Sequence, residues 1–276
     1  MTSVFLENIL KGRVALVTGG GTGITGGVAR ALAEAGANVA LVSRRMEHLE
    51  PAARAINEAR ARGTSPTVRE GSEISVGEAF AVAADVRNPD EVEKAIAAAV
   101  ERFGKVDILV NGAAGNFLCA AEELSPNGFG TVVDIDLKGT FNVCRAAFTE
   151  LKKNRGQILN ISATLHYLGT PRQLHFSAAK AGVDALTKNL AVEWGPYGIR
   201  VNAIAPGPIA DTEGMKRLVP EPIKEKLKKR IPLGRFGLIK DIETAAVFLC
   251  SDAASFINGS ILVVDGGQWM AAHRMT

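Results

Sequence analysis

Short apolar runs rich in valine, isoleucine and leucine alternate along this chain with longer amphipathic stretches. The short runs predict seven strands, at residues 13–18, 38–43, 80–84, 106–111, 157–162, 200–204 and 261–264. The longer stretches predict six helices, at residues 24–35, 46–62, 89–103, 128–153, 177–194 and 241–249. Apolar strands that are separated by helices are typical of a parallel sheet covered on both faces. The pattern therefore predicts a single doubly wound α/β domain with a seven-stranded parallel sheet over residues 1–276.

A polar, glycine-containing segment at residues 63–78 interrupts this alternation. A connection between a helix and a strand usually takes about 2–6 residues, and this one is much longer. We interpret the segment as a surface insertion within the domain. A role in assembly or partner binding is the alternative.

The composition excludes several classes of protein. The 276 residues include 32 Lys and Arg against 29 Asp and Glu, a net charge of +3, whereas nucleic-acid-binding proteins normally carry a strong basic excess. The three cysteines, Cys119, Cys144 and Cys250, are far apart, which predicts buried thiols in a reducing compartment and no metal site. No apolar run reaches the roughly 18 residues that span a bilayer, so we expect a soluble protein without membrane insertion.

The first predicted strand ends in a glycine-rich turn, TGGGTGIT at residues 18–25, and a helix follows at once. Glycines allow a tight turn that brings backbone amides against a diphosphate, and the start of the helix adds partial positive charge. At the first strand-to-helix turn of a doubly wound sheet, this arrangement predicts dinucleotide binding. We expect the contacts at Gly19, Thr22, Gly23 and Ile24.

The end of the second predicted strand indicates which dinucleotide binds. NAD sites usually have an acidic residue here that accepts from the ribose 2′-hydroxyl, but residues 35–46 contain none, and the strand ends in Ser43, Arg44 and Arg45. A hydroxyl and a guanidinium can bind a 2′-phosphate, so the sequence favours NADPH, held by Ser43 and Arg44. The alternative, that both arginines are solvated surface charges, leaves the missing acid unexplained.

The third and fourth predicted strands end in residues suited to the same cleft. Asp85 and Val86 follow the third strand, where the carboxylate can accept from the adenine amino group. Asn111, Ala113 and Gly115 follow the fourth, where small residues let the backbone approach the cofactor. Each turn alone is also typical of an ordinary loop. Both fall at carboxyl ends of strands, where open α/β sheets bind their ligands.

Several motifs in this pattern resemble those of the short-chain dehydrogenases/reductases, and the resemblance covers nearly the whole chain. They are TGGGTGI at 18–24, NGAAG at 111–115, SAAKAG around Lys180, PGPI at 206–209 and DGG at 265–267. The resemblance implies a Rossmann fold, an NAD(P) cofactor and commonly a homotetramer. It also implies that Lys180 holds the nicotinamide ribose, and that Pro206, Gly207 and Ile209 meet the nicotinamide edge. Thr25 replaces the family's last phosphate-loop glycine.

Apart from the lysine, the usual catalytic residues of that family are replaced. Its Tyr stands four residues before the Lys and its Ser thirteen before that Tyr, and these positions hold Phe176 and Ala163 here. Asp136 stands where the family has an Asn. The chain's two tyrosines, Tyr167 and Tyr197, do not have the spacing of the lost one. Because the Tyr is the acid for ketone reduction in this family, we do not expect ordinary carbonyl reduction.

One subfamily lacks the same groups, the peroxisomal-type 2,4-dienoyl-CoA reductases, and this chain is similar to it. The shared segments are AGNFLC at 114–119, DID at 134–136, SATLHYLG at 162–169, LAVEWGP at 190–196 and APGPIADTEG at 205–214, together with His175. Enoyl-thioester reductases have a Tyr at the position of Gln173, and mitochondrial dienoyl-CoA reductases have one at that of Leu165, so neither pattern fits. The resemblance implies NADPH-dependent reduction of a fatty 2,4-dienoyl-CoA to a 3-enoyl-CoA, in β-oxidation of unsaturated fatty acids.

Three residues are candidates for the catalytic groups of such a reaction. Asp136 is the candidate acid, or the partner of a water that relays the proton, because burial raises a carboxyl pKa toward the working range. A structural hydrogen-bonding role is its alternative. Lys180 is the candidate ribose ligand. His175 either donates to the thioester oxygen or is a satisfied structural histidine. Asn116 and Phe117 follow the glycine loop and are expected to line the acyl pocket.

The remaining sequence features leave alternatives open. A basic segment at residues 215–230 either steers CoA phosphates or forms a solvated helical face. Reduction of another activated alkene or carbonyl by a relocated acid is a second hypothesis, and a catalytically silent NADPH-binding protein is a third. The subfamily indicates a peroxisome, but AHRMT at 272–276 is not an address of the Ser-Lys-Leu type, so the cytosol is retained as an alternative.

Overall fold

The computed structural model describes residues 8–62, 75–219 and 221–273. Within these ranges seven strands form one sheet, in the order β3-β2-β1-β4-β5-β6-β7, and every pair is parallel. The strands are β1 (Val14–Thr18), β2 (Asn38–Ser43), β3 (Ala79–Ala83), β4 (Ile108–Asn111), β5 (Gln157–Ile161), β6 (Arg200–Pro206) and β7 (Ile261–Val264). The order reverses direction between β1 and β4, which makes the carboxyl ends of these two strands the expected ligand crevice.

Helices cover both faces of the sheet. They are α1 (Gly23–Glu34), α2 (Met46–Ala61), α3 (Pro89–Phe103), α4 (Pro126–Val133), α5 (Gly139–Asn154), α6 (Leu174–Trp194), α7 (Glu213–Leu218), α8 (Glu221–Lys229) and α9 (Ile239–Leu249). The predicted doubly wound parallel fold is confirmed. The two helices that the apolar pattern did not predict, α7 and α8, lie in the basic segment, where short amphipathic turns carry few apolar positions.

The core lies on both faces of the sheet because side chains alternate along each strand. In β4, Ile108 and Val110 join the apolar cluster of one face, whereas Leu109 joins that of the other. The first cluster packs against α1, α2 and α9, and the second against α3, α5 and the end of α6. Burial on both faces explains the continuous apolar runs in the sequence.

The long predicted helix at 128–153 is not continuous. It is divided by a π-helical turn, Asp134–Lys138, that joins α4 to α5. A π turn holds one extra residue and is frequent at functional sites. Asp136 lies in this turn with 0% exposure, and its backbone carbonyl accepts from Thr140 Oγ1 at 2.7 Å. Apolar spacing alone does not reveal the turn, because the sequence on both sides has helical periodicity.

The segment predicted as a surface insertion, 63–78, falls mostly on residues 63–74, which lie outside the described residues. Among its last four residues, Ser75 is exposed, whereas Val76, Gly77 and Glu78 contact the rest of the domain. Val76 is 3% exposed and joins the core. The Gly77 amide donates to the Ala33 carbonyl at 2.9 Å, and Glu78 pairs with Arg60 and Arg102. The segment therefore returns to the core before β3 begins.

All three cysteines are free thiols. Cys144 and Cys250 are buried in the two core clusters, and burial raises the pKa of each thiol to about 12. The predicted buried thiols are confirmed for these two, whereas Cys119 is partly exposed. Among the helices within the described ranges, none has both the length and the apolar character to cross a bilayer.

Candidate active site

A cavity of about 250 Å³ lies at the carboxyl ends of β1 to β4. Seven of the predicted cofactor residues line it: Gly19, Thr22, Ser43, Arg44, Asp85, Val86 and Ala113. Six further lining residues were not predicted: Gly21, Arg45, His48, Ala84, Ala114 and Ile135. A larger, shallower hollow of about 520 Å³ lies on the outside of α2 and holds none of the predicted site residues. The crevice predicted from the strand ends therefore exists.

The glycine turn is shaped by close backbone packing. Gly19 has φ +69°, and a Cβ there would lie 2.9 Å from the Gly112 carbonyl oxygen, so only glycine fits. Thr25 Oγ1 donates to the Gly19 carbonyl at 2.7 Å, which ties α1 back to the turn. The first turn of α1, which contains Gly23 and Ile24, has no acidic residue, so its free amides can receive an anion. The cradle fits the diphosphate of a dinucleotide.

Thr25 replaces the expected glycine without closing the turn, because Gly112 makes room for it. A Cβ on Gly112 would overlap the Thr25 methyl group. The two positions are therefore complementary in size, although they follow different strands.

Arg44 and Arg45 differ in the partners available to them. Arg45 pairs with Glu47 at 3.3 Å. Arg44 is exposed at the cavity and makes no hydrogen bond or ion pair within the part of the chain that the structure describes. Its guanidinium is thus the available cation at the end of β2, next to Ser43.

Two predicted cofactor residues have other partners. The Asp85 carboxylate binds the Arg87 guanidinium through both oxygens, and the bond to Arg87 is the main cause that holds the pKa of Asp85 below its ordinary value. The Asn111 amide donates to Asn160 Oδ1 at 2.9 Å and lies 3.2 Å from Cys144 Sγ. The Asn111 side chain is therefore directed into the core between β4 and β5, and not at the cavity as a cofactor ligand would be. The approach of the cofactor to the backbone at Asn111 stays a prediction.

Asp136 and Lys180 form a buried pair between the π turn and α6. Asp136 Oδ1 accepts from the Gly115 amide at 2.7 Å, and Oδ2 lies 3.4 Å from Lys180 Nζ. Lys180 Nζ also donates to the Ile161 carbonyl at 2.9 Å. Burial raises the pKa of Asp136 above its ordinary value, although the Lys180 charge and the Gly115 amide oppose the effect. A carboxyl with a raised pKa in a dry site is suited to proton transfer.

His175 and the residues after Gly115 form one wall next to this pair. The His175 ring is 0% exposed and stacks on Phe117, with 4.3 Å between ring centroids. Burial lowers the pKa of His175, against the opposing effects of the Phe117 backbone and Asp136, so the ring is neutral at pH 7. Asn116 Nδ2 donates to Gln173 Oε1 at 2.7 Å. Within the described residues, neither ring nitrogen of His175 makes a hydrogen bond of normal geometry.

Comparison with known proteins fits this geometry. Residues 19–268 match the family model described as enoyl-(acyl carrier protein) reductase. The chain belongs to the short-chain dehydrogenase/reductase family. The peroxisomal 2,4-dienoyl-CoA reductase ((3E)-enoyl-CoA-producing) of Arabidopsis thaliana is 46% identical, over 99% of this chain and 90% of its own. That of Saccharomyces cerevisiae is 49% identical, over 95% of this chain and 86% of its own.

A solved structure extends the similarity to the fold. A short-chain dehydrogenase from Bacillus anthracis is 40% identical and superposes with a TM-score of 0.80, covering 97% of this chain and all of its own. Short-chain dehydrogenases/reductases are oxidoreductases that bind a nicotinamide cofactor, and the cradle and cavity described above fit that group.

Neither tyrosine of this short-chain dehydrogenase/reductase replaces the lost acid. Tyr167 Oη donates to Asp184 Oδ2 at 3.0 Å, and burial together with that carboxylate raises the pKa of Tyr167. Tyr197 lies in the short helical turn that follows α6, packs against Phe148 and does not line the cavity. At the lost position, the Phe176 ring lies 5.4 Å from Lys180 Nζ and offers no proton.

The residues expected near the nicotinamide lie at the end of β6. The Gly207 amide donates to the Val264 carbonyl at 3.0 Å, and Ile209 pairs with Gly237. Pro206, Gly207 and Ile209 do not line the cavity at β1 to β4. Their contact with the nicotinamide stays a prediction, as does the role of Lys180 toward the ribose.

The basic segment at residues 215–230 contains two kinds of cation. Three lysines pair with a glutamate three residues earlier, which indicates a solvated face: Lys216 with Glu213, Lys224 with Glu221 and Lys228 with Glu225. Arg217 instead donates from Nη2 to the Asn116 carbonyl at 2.9 Å, so α7 touches the predicted acyl pocket.

The sequence did not indicate Asp184 or Gln173 as members of the site. Asp184 accepts hydrogen bonds from Ser162 and Tyr167 and lies 2.8 Å from His166 Nε2. The available signal was its spacing, since it follows the retained lysine by one helical turn.

The complementarity of Gly112 and Thr25 gives a testable prediction. Gly112→Ala alone should lower the free energy of unfolding by about 1–3 kcal/mol, because the new methyl overlaps the Thr25 methyl. Adding Thr25→Ser removes that methyl and keeps the hydroxyl, so the double variant should recover most of the loss. Denaturant unfolding of both single variants and the double variant measures the coupling.

Gly130→Ala is the control, since a Cβ there has no neighbour within 4 Å. We expect it to be neutral or slightly stabilising. Additive effects of Gly112→Ala and Thr25→Ser would contradict the proposed complementarity.

Proposed function

We propose that this protein is an NADPH-dependent 2,4-dienoyl-CoA reductase, which converts a fatty 2,4-dienoyl-CoA to a 3-enoyl-CoA in the β-oxidation of unsaturated fatty acids. The observation that carries the proposal is the buried Asp136–Lys180 pair in a site where Phe176 and Ala163 stand for the family's Tyr and Ser. The printed activity of the relatives from Arabidopsis thaliana and Saccharomyces cerevisiae supports it.

The reaction determines what the site must supply. The bound cofactor supplies a hydride, which adds at the δ carbon of the substrate. The charge moves through the conjugated bonds to the thioester oxygen as a dienolate, and a proton then adds at the α carbon to leave the double bond between the β and γ carbons. Since the final proton goes to carbon, the site needs an oxyanion donor and a proton source near the α carbon, rather than a phenol at a ketone oxygen.

Asp136 is the group that supplies the proton, directly or through a water. Its Oδ2 makes no hydrogen bond of normal geometry to the described residues, while Oδ1 is held by the Gly115 amide. The carboxyl thus has one oxygen fixed by an amide, while the other faces the Lys180 ammonium at 3.4 Å. Burial raises the pKa of Asp136 above its ordinary value, which favours the protonated form that a proton donor needs.

Lys180 and His175 complete the set of polar groups. The Lys180 ammonium places a positive charge next to Asp136 and would bind the nicotinamide ribose. His175 is neutral, so one ring nitrogen carries a proton that it can donate to the thioester oxygen as charge develops. Asn116 and Phe117 form the acyl-pocket wall, and the stacked Phe117 fixes the His175 ring.

NADPH is proposed as the form of the cofactor. The cradle of Gly19 and Thr22 and the amides of Gly23 and Ile24 would hold its diphosphate. The unpaired Arg44 and the Ser43 hydroxyl would hold the 2′-phosphate, where an NAD site has a carboxylate. Asp85 and Val86 would meet the adenine, while Ala113 and Gly115 would allow the close approach of the backbone.

Assembly and location belong to the same proposal. Large apolar side chains are exposed on three neighbouring helices, Phe129 on α4 (37%), Phe141 on α5 (48%) and Val192 on α6 (77%), which supports burial against further copies in a homotetramer. The relatives' printed names support a peroxisomal location. The single domain over residues 1–276 is part of the proposal as well.

The first test of this function is a substrate panel. With NADPH, the protein should reduce 2,4-dienoyl-CoA well and simple ketones hardly at all, because no phenol faces a carbonyl. Phe176→Tyr should give no large gain on dienoyl-CoA. Cofactor absorbance measures the rates. Comparable turnover of ketones would favour reduction of other carbonyls, and no turnover of any substrate would favour a silent binding protein.

The second test concerns cofactor choice. Arg44→Ala should weaken NADPH binding by about 1.5–3 kcal/mol, the range for hydrogen bonds to charged groups, and should leave NADH nearly unchanged. Arg45→Ala, which removes an arginine already paired with Glu47, is the matched control and should change little. Fluorescence titration measures both cofactors. Equal losses for NADPH and NADH in Arg44→Ala would refute the assignment.

The third test concerns the proton. Asp136→Asn should lower kcat on 2,4-dienoyl-CoA by about 10²–10⁴, the usual contribution of a positioned acid or base, and should leave NADPH affinity within a few-fold. Asp134→Asn is the matched control, since Asp134 lies in the same π turn but pairs with Lys138 at the surface. Single-turnover measurements separate chemistry from binding. Near-normal turnover of Asp136→Asn would make His175 or an ordered water the proton source.

A further inference from the structure

A second buried carboxylate lies one turn beyond Lys180 on α6. Asp184 Oδ1 accepts from Ser162 Oγ at 2.5 Å. Its Oδ2 lies 2.8 Å from His166 Nε2 and accepts from Tyr167 Oη at 3.0 Å. The Asp184 side chain is only 8% exposed, so these three contacts replace the water that a carboxylate otherwise needs.

Asp184 and Lys180 bind consecutive residues at the end of β5. Lys180 Nζ donates to the carbonyl of Ile161, the last residue of β5, and Ser162 is the next residue. Successive turns of α6 are therefore bonded to successive residues of the strand end. The next turn of α6 is bonded to β5 as well, since Asn160 Nδ2 donates to Thr187 Oγ1 at 2.8 Å. The Asp184 contact adds to this register at the end of the strand, next to Lys180.

The two oxygens of Asp184 serve different parts of the chain. Oδ1 holds the end of β5 through Ser162, and Oδ2 holds the loop between β5 and α6 through His166 and Tyr167. The loop has a further link of its own, since the Thr164 amide donates to the Pro206 carbonyl at 3.2 Å. The strand contact and the loop contact can therefore be removed separately.

We infer that Asp184 is a positioning residue, which sets the place of the Lys180 ammonium against Asp136 by fixing α6 to the end of β5. The inference rests on the proposed function, which gives Lys180 and Asp136 their roles. A lysine side chain has four rotatable bonds, and its effect on a neighbouring carboxyl pKa depends on the distance between the two charges. Phe176 and Ala163, which stand at the family's Tyr and Ser positions, have no polar side-chain group that could hold the Lys180 ammonium in place.

The surroundings of Asp184 keep it charged. Burial is the largest single effect and raises the pKa, but the hydrogen bonds from His166, Ser162 and Tyr167 together hold the pKa of Asp184 below its ordinary value. Within the described ranges, no Lys or Arg forms an ion pair with it. The groups that face Asp136 are Lys180 and His175 from α6 and the Gly115 amide, so displacement of Lys180 removes the main opposing charge.

Two variants test the inference, and each deletes one of the hydroxyl groups that donate to Asp184. Ser162→Ala removes the strand contact, and Tyr167→Phe, the matched control, removes a loop contact. In Ser162→Ala, a displaced Lys180 lets the pKa of Asp136 rise further. In the single-turnover pH–rate profile, activity falls with rising pH as Asp136 loses its proton. This limb should then move to higher pH by about 0.5 pH unit. A neighbouring cation lowers a carboxyl pKa by roughly 1–3, and the displacement of Lys180 should remove part of that effect.

The same displacement should appear in cofactor binding, which needs no turnover. Ser162→Ala should weaken NADPH binding about 3- to 10-fold in fluorescence titration, because Lys180 is the proposed ribose ligand. Tyr167→Phe should leave the pH limb unchanged and NADPH binding within two-fold, although both variants lower Tm by a few degrees. Asp184→Ala, which loses the charge and both contacts, should show at least the effects of Ser162→Ala.

Two results would overturn the inference. Equal shifts in Ser162→Ala and Tyr167→Phe would mean that Asp184 only stabilises the fold. A fall in Tm for Ser162→Ala, with the pH limb and NADPH affinity both unchanged, would mean the same. Failure of the unmodified protein to reduce dienoyl-CoA would refute the proposed function instead, and the NADPH comparison of the two variants would still decide the role of Asp184.

Discussion

The site depends on one interaction, the ion pair between Asp136 and Lys180 in a dry cleft. Burial of two charges costs several kcal/mol per ion, and mutual attraction repays it only when further hydrogen bonds satisfy both groups. The Gly115 amide does this for the carboxylate and the Ile161 carbonyl for the ammonium. The pair therefore requires that the turn after β4, the end of β5, the π turn and α6 meet with fixed geometry.

Local features of the backbone fit that requirement. An ordinary α-helical continuation from α4 to α5 would distribute the side chains of residues 134–138 differently. The π turn adds one residue at this place and leaves Asp136 wholly buried, while Asp134 reaches the surface and Lys138. At Gly115, whose amide donates to the carboxylate, a Cβ would lie 3.2 Å from the end of the Ile135 side chain, a tight contact. The backbone is adapted to one carboxylate.

Much of this could be predicted from the sequence, and the reason is physical. Continuous apolar strands that alternate with amphipathic helices indicate a parallel sheet covered on both faces, and a doubly wound sheet places its ligands at the carboxyl ends of the strands. The glycine turn, Arg44 and Asp136 all follow from position along the chain. Seven of the cofactor candidates line the cavity, since lining it needs only a strand end and a small or charged residue.

The features that the sequence did not reveal depend on contacts between residues that are far apart in the chain. Asn111 fits the motif, but its amide is taken by Asn160, 49 residues away. The space that accommodates Thr25 is made by Gly112, which follows another strand. The π turn leaves no mark in the apolar periodicity, and Asp184 lies in an unremarkable helical stretch until Ser162, His166 and Tyr167 converge on it. Pairing across elements is not encoded in the local pattern that sequence reasoning uses.

The replacement of the family's acid is consistent with a change in where the proton must go. A phenol beside a lysine is suited to the reduction of a ketone, in which the negative charge develops on the carbonyl oxygen alone. In a conjugated thioester the charge is spread from the oxygen to the α carbon, and carbon accepts protons slowly, so the donor must be held close and kept partly protonated. The Gly115 amide holds the Asp136 carboxyl in place, and burial raises the pKa of that carboxyl, which favours its protonated form. Phe176, with its ring 5.4 Å from Lys180 Nζ, then places an apolar group where the family has its phenol.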